Sequence, residues 1–164
     1  MRLRHGLSIF AIVLSISLLG YCGPESFNTN FPPPGTGIKI GEIYPKQVRG
    51  IEPEFSYLKF SDVRSTFGHK AVYGDIAEIQ SIQTAPNGSL DSIFKENIID
   101  SYFSEDFQTK ASGNYDGAWV ARGTKSDGKR FYAWSHENWI YFIQAKDDEI
   151  FEEIVREFPY IESK

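Results

Sequence analysis

Residues Lys129–Pro159 read KRFYAWSHENWIYFIQAKDDEIFEEIVREFP, two strands and a helix in direct succession. In Trp139–Ile143 every position is apolar or aromatic. A strand with one wet face alternates, so this one is covered on both sides. With a turn centred on His136-Glu137, Trp134 faces Trp139 and Tyr132 faces Tyr141, while Ala133–Ile140 and Phe131–Phe142 share the other side. Cross-strand aromatic pairs of this kind contribute ~0.2–1 kcal/mol each. The side carrying Tyr132, Trp134, Trp139 and Tyr141 is either core beneath a helix or a groove for a partner or small amphipathic ligand. The helix that follows is sharply bounded. Asp147 caps it, Asp148 and Glu149 favour its positive end, Ile150, Phe151, Ile154, Val155 and Phe158 form one stripe, and Pro159 stops it.

Working back toward the N-terminus, strands are expected over Lys129–Ser135, Tyr115–Arg122 and Phe107–Ala111, the last at an edge. Ser126-Asp127-Gly128 supplies a hairpin turn. Whether Trp119 shares a face with Trp134 depends on a three- or four-residue turn there, because a one-residue slip exchanges the faces of a strand. Before these strands, Leu90, Ile93, Phe94, Ile98 and Tyr102 recur at helical spacing behind a Ser89 cap. Ala71–Ile82 reads as one strand with a bulge near Gly74, and Phe55–Phe60 as a short one. The order strand, helix, strands, helix specifies an α+β domain over residues 38–164, an antiparallel meander sheet with helices on both faces.

The stretch from about Ser89 to Pro159 resembles the Mog1/PsbP-like group. The shared outline is a capped SLDS-type helix, a meander around a Gly-containing turn and DDEIFEEIVREFP as closing helix. The resemblance covers about half of the chain downstream of Cys22 and implies an α/β/α sandwich serving as an adaptor or binding module. It brings no catalytic residues.

At the other end, Arg2 and Arg4 precede a run from Leu7 to Leu19 that only Ser8, Ser15 and Ser17 interrupt, and Gly20-Tyr21-Cys22 follows. This is the layout of an export signal over residues 1–21. The run is shorter than the ~20 residues of a spanning helix and has no polar face. Leu19-Gly20-Tyr21-Cys22 resembles a bacterial lipobox. Tyr21 stands where a small residue is usual, a variation that spirochaete-type lipoboxes accept. The resemblance implies cleavage before Cys22, acylation of that cysteine and residence in the bacterial envelope, with the outer membrane as the expected site. Two or more acyl chains at ~0.8 kcal/mol per buried CH2 anchor a protein stably. Residues 22–37 then form a Pro/Gly-rich tether in which Pro32-Pro33-Pro34 is extended. Phe27 and Phe31 have either lipid or the domain to rest on.

Cleavage leaves 143 residues, with 15 basic against 22 acidic side chains once Arg2 and Arg4 are removed, a formal charge of −7. An acidic chain whose Lys and Arg are scattered, Arg122 and Arg130 among them, has no nucleic-acid surface unless folding assembles one. With Cys22 consumed no disulfide is available, so the core alone must hold the fold.

Candidate chemistry is sparse. Ser135-His136-Glu137 holds triad ingredients, but three successive residues cannot converge head to tail, and an exposed turn is expected instead. His69 and His136 are 67 residues apart without a second cysteine, which gives no zinc set. The acids at 147–153 are explained by the helix N-terminus and lack an Asp-x-Asp-x-Asp-Gly loop. No cofactor is expected. The expectation is a lipid-anchored, non-enzymatic binding module that meets a protein partner of the envelope or, if surface-exposed, of a host, or an adaptor subunit of an envelope complex. A hydrolase ranks last.

Overall fold

The computed structural model describes residues 27–58, 60, 66–86, 90–103 and 106–164. The signal, Cys22 and the Ser89 cap lie outside the described residues. Among those described, the strands are β1 (Phe27–Asn28), β2 (Glu54–Leu58), β3 (Phe67–Tyr73), β4 (Ala77–Gln83), β5 (Phe107–Tyr115), β6 (Ala118–Lys125), β7 (Arg130–His136), β8 (Trp139–Ala145) and β9 (Glu162–Ser163). The helices are α1 (Ile40–Ile43), α2 (Leu90–Phe94), α3 (Asp100–Tyr102) and α4 (Asp148–Glu157), with a π-helical stretch Lys95–Ile99 joining α2 to α3. Seven strands form one sheet in the order β2-β3-β4-β8-β7-β6-β5, every neighbouring pair antiparallel. The chain runs β2-β3-β4, crosses to the far edge through the α2–α3 segment, and returns as the meander β5-β6-β7-β8.

Two cores result, one on each face. Tyr73, Ile79, Trp134, Tyr141 and Ile143 pack with Phe151, Ile154, Val155 and Phe158 on the α4 side. Ile82, Phe131, Ala133, Ile140 and Phe142 pack with Ile93, Phe94, Ile98 and Phe103 on the other. Both faces of β8 are therefore dry, as its unbroken apolar run requires. Asp147 caps α4 by accepting from the Ile150 backbone N–H at 2.9 Å, and the Phe158 N–H closes the last turn onto the Ile154 carbonyl. The arrangement is an α+β sandwich with helices on both faces, the layering that the Mog1/PsbP resemblance implies.

Four expectations are corrected. Ala71–Ile82 is not one bulged strand but the hairpin β3–β4. Gly74 at φ 54° opens a three-residue loop between the paired Tyr73 and Ala77, a left-handed geometry that suits glycine. Tyr115 closes β5 rather than opening β6, because Asp116 (φ 52°) and Gly117 (φ 86°) form a two-residue hairpin loop of the type that matches strand twist. The β7–β8 pairing is Trp134↔Tyr141 and His136↔Trp139, two residues from the expected register. The partners change while the faces stay, since a shift of two preserves the strand's alternation.

The fourth correction concerns the tether. From Phe27 onward it is docked. β1 pairs with β9, Phe27 opposite Ser163, and Phe27 and Phe31 pack against the α4-side core. The Phe27 ring meets Tyr132 edge-on at 4.8 Å between centroids and Phe151 at 5.7 Å. The tail beyond Pro159 makes this possible. Tyr160 stacks on Tyr141 at 5.0 Å, Ile161 is buried, and β9 is thereby laid beside β1.

Candidate functional site

The aromatic ladder is core. Trp134 (0% exposed), Tyr141 (1%), Tyr132 (5%) and Trp139 (7%) lie in the core beneath α4 and the tail, and Tyr132 also stands in the wall of an open groove beside that core. Trp119 is absent from the row. The Ser126–Gly128 loop has three residues, with the Lys125 N–H donating to the Lys129 carbonyl at 2.8 Å, and Trp119 is thereby placed on the opposite face. There it stacks on Phe94 at 5.6 Å, and its Nε1 donates to Asp91 Oδ1 at 2.7 Å.

Ser135, His136 and Glu137 do not make an exposed turn. Ser135 is buried within β7, and its Oγ accepts from the Trp119 backbone N–H at 2.8 Å. His136 Nε2 stands 3.9 Å from Glu137 Oε1. His69 lies on β3, with β4 and β8 between it and β7. At about 4.8 Å per strand, the two histidines are kept at least about 14 Å apart. Burial holds the His69 imidazole below its ordinary range. Among the described residues no cluster of three or more His, Cys, Asp or Glu could hold a metal ion.

What folding does assemble is a two-arginine groove. α4 covers the middle strands and leaves the same face of β5 and β6 open. The β6–β7 register sets Arg122 opposite Tyr132 and Thr124 opposite Arg130. Both arginines therefore emerge on the α4 side, one strand and two residues apart. Arg130 is held firmly. Its Nη1 is 3.0 Å from Asp148 Oδ1, and its guanidinium lies 4.2 Å over the Phe151 ring. Arg122, Arg130 and Asp148, together with Thr109, Lys110, Thr124 and Tyr132, line an open groove of about 470 Å³.

Burial pushes the Tyr132 phenol up, opposed by the nearby Arg122 guanidinium. The hydroxyl consequently stays protonated and able to donate. Planar guanidiniums with hydroxyl donors around them suit a carboxylate or phosphate. Sequence reading treated Arg122 and Arg130 as scattered charges. The signal that would have united them is the length of the 126–128 turn, which fixes their shared face.

A second polar cluster is closed upon itself. Gln80 donates to Glu78 Oε1 at 2.6 Å, Tyr102 Oη donates to the same oxygen at 3.2 Å, and Lys70 pairs with Glu78 at 3.3 Å. It ties the end of α3 to the sheet. Burial first, and the Glu78 carboxylate second, push the Tyr102 phenol up to about 12.

No protein-family model matches the chain, and no curated protein matches it. Among solved structures it is similar to a GTP binding regulator from Thermotoga maritima, 14% identical over 72% of this chain and 84% of that one, with a TM-score of 0.43. A likeness at that level carries no argument, and the fold stands on the strand order and register given above.

Proposed function

We propose that this chain is a lipid-anchored protein of the bacterial envelope, cut before Cys22, acylated on that residue and working as a non-enzymatic binding module. The observation that carries the reading is the chain's only cysteine placed directly after the apolar Leu7–Leu19 run. The outer membrane is the proposed site, and the two-arginine groove is the proposed binding surface. The anchor is tested by growing cells with labelled palmitate. Label is expected in the native chain and lost in Cys22→Ser; equal labelling of both would overturn the reading.

One observation favours a second role as an adaptor within an envelope complex. At the β2–β3 edge, Phe55 (43% exposed), Tyr57 (77%) and Phe67 (64%) stand on one face in contact with solvent. Exposed aromatics gathered at a sheet edge suit a protein partner. Crosslinking in intact envelopes tests this role. A specific partner lost on Tyr57→Ser and Phe67→Ser supports it, and no partner in any sample refutes it.

A further inference from the structure

We propose that the β2 edge takes up an extended segment of a partner protein as an eighth, antiparallel strand, one that reads apolar-x-apolar-Lys/Arg. The inference rests on the adaptor reading of that edge and adds the chemistry of the partner.

The two edges of the sheet differ. β5 carries a bulge between Phe107 and Thr109 and presents Lys110, features that discourage a further strand. β2 pairs with β3 residue for residue from Glu54 to Leu58, and its five residues include no Lys, Arg or Pro. Among the described residues no strand lies beyond it. Alternate backbone N–H and C=O groups therefore point outward along a regular edge, the template that strand addition uses. Pro53 precedes it and, having no N–H, marks where the template begins.

Register assigns the partner's side chains their places, because directly opposite residues of an antiparallel pair share a face. Phe55 and Tyr57 stand on the α4 side, opposite Ala71 and His69 of β3. Phe55 rests on Tyr44 and Tyr57 on His69, yet both rings remain exposed. Apolar side chains opposite these two would cover rings that the sheet leaves wet. Glu54 stands on the other face. Lys70, opposite Ser56 on that same face, is engaged with Glu78 at 3.3 Å, and among the described residues Glu54 has no ion pair. A Lys or Arg directly opposite Glu54 supplies the counter-charge. An added antiparallel strand meets Tyr57, Ser56, Phe55 and Glu54 in that order, which yields the four-residue pattern. A second copy does not match it: two β2 strands paired about a two-fold axis at Ser56 set Leu58, not a cation, against Glu54.

The probe is the fluorescein-labelled hexapeptide Thr-Ile-Thr-Val-Lys-Ser, titrated by anisotropy into the full-length chain in non-ionic detergent. Saturable binding is expected, weaker by about tenfold when Glu replaces the Lys. Glu54→Lys should invert that preference. Tyr57→Lys should weaken both peptides by about tenfold or more, since a charged edge resists pairing. Two further peptides carry N-methyl groups on alternate nitrogens, one on the odd set and one on the even set. One is expected to lose binding and the other to keep it, because only alternate N–H groups face β2.

Equal binding by both methylated peptides would overturn strand addition, and an unchanged Lys preference in Glu54→Lys would overturn the register. Dimers in sedimentation that vanish in Tyr57→Lys would give the edge to a second copy and overturn the partner segment. If the Lys peptide fails to bind while crosslinking finds a partner that depends on Tyr57 and Phe67, strand addition falls and the adaptor reading stands. If the peptide binds as expected and envelopes hold no partner, the adaptor reading falls alone.

Discussion

The Phe27 ring stands edge-on against Tyr132, with centroids 4.8 Å apart and planes at 81°. That one contact joins the segment leading to Cys22 with a residue that lines the two-arginine groove. It also turns what reads in sequence as a loose tether into an element of the α4-side core.

Phe27→Ala removes the contacts with Tyr132 and Phe151 and loosens β1 from β9. Phe27 is half-buried, so the cost falls at the low end for aromatic truncation, about 1–2 kcal/mol. Urea unfolding monitored by tryptophan fluorescence measures it. A midpoint unchanged from the parent would show that the clip adds nothing to stability.

Tyr141 and Tyr73 are both buried, but only one hydroxyl is used. Tyr73 Oη donates to the Pro45 carbonyl at 2.7 Å, whereas Tyr141 Oη has no partner among the described residues. Tyr141→Phe therefore deletes an unpaired polar atom and should be neutral or stabilising by up to about 1 kcal/mol. Tyr73→Phe strands the Pro45 carbonyl and should cost about 1–3 kcal/mol. Equal midpoints for the two variants in denaturant would contradict this assignment.

Gly123 sits where β6 passes under Phe107. A Cβ there would come within 2.5 Å of the Phe107 ring and 2.7 Å of the Thr109 carbonyl oxygen. The ring can tilt, but the carbonyl belongs to the neighbouring strand. Gly123→Ala should accordingly cost about 1–3 kcal/mol and disturb the β5 edge first. Hydrogen exchange of the β5 and β6 amides locates the damage, and unaltered protection there would defeat the prediction.

Alkaline pH should unfold the protein through its tyrosines. Tyr102 is pushed up to about 12 by burial and by Glu78, and burial also raises Tyr44, Tyr73, Tyr132, Tyr141 and Tyr160. An unfolded phenol ionises near pH 10. Below that pH both states hold the proton and stability is complete. Between about pH 10 and 12 the unfolded chain has released protons that the folded chain keeps, so stability falls as pH rises. Phenolate absorbance should stay low above pH 10 and then rise together with loss of circular dichroism. A gradual rise with the fold intact would refute the buried, raised tyrosines.

Local pattern alone determined the dry faces of β8, the stripe, cap and stop of α4, and the Ala133/Phe142 side against the Trp134/Tyr141 side. Each rests on alternation or helical period, which needs no knowledge of distant residues. Gly74 misled because a bulge and a three-residue hairpin interrupt alternation in similar ways, and only pairing with a second strand separates them. The face of Trp119, the docking of Phe27 on Tyr132 and the meeting of Arg122 with Arg130 were decided by tertiary structure. All three follow from register and from a C-terminal tail that supplies β9, and register depends on which strands come together. A charge gains neighbours only when a turn of definite length sets two strands in phase, so the groove was invisible until the chain had folded.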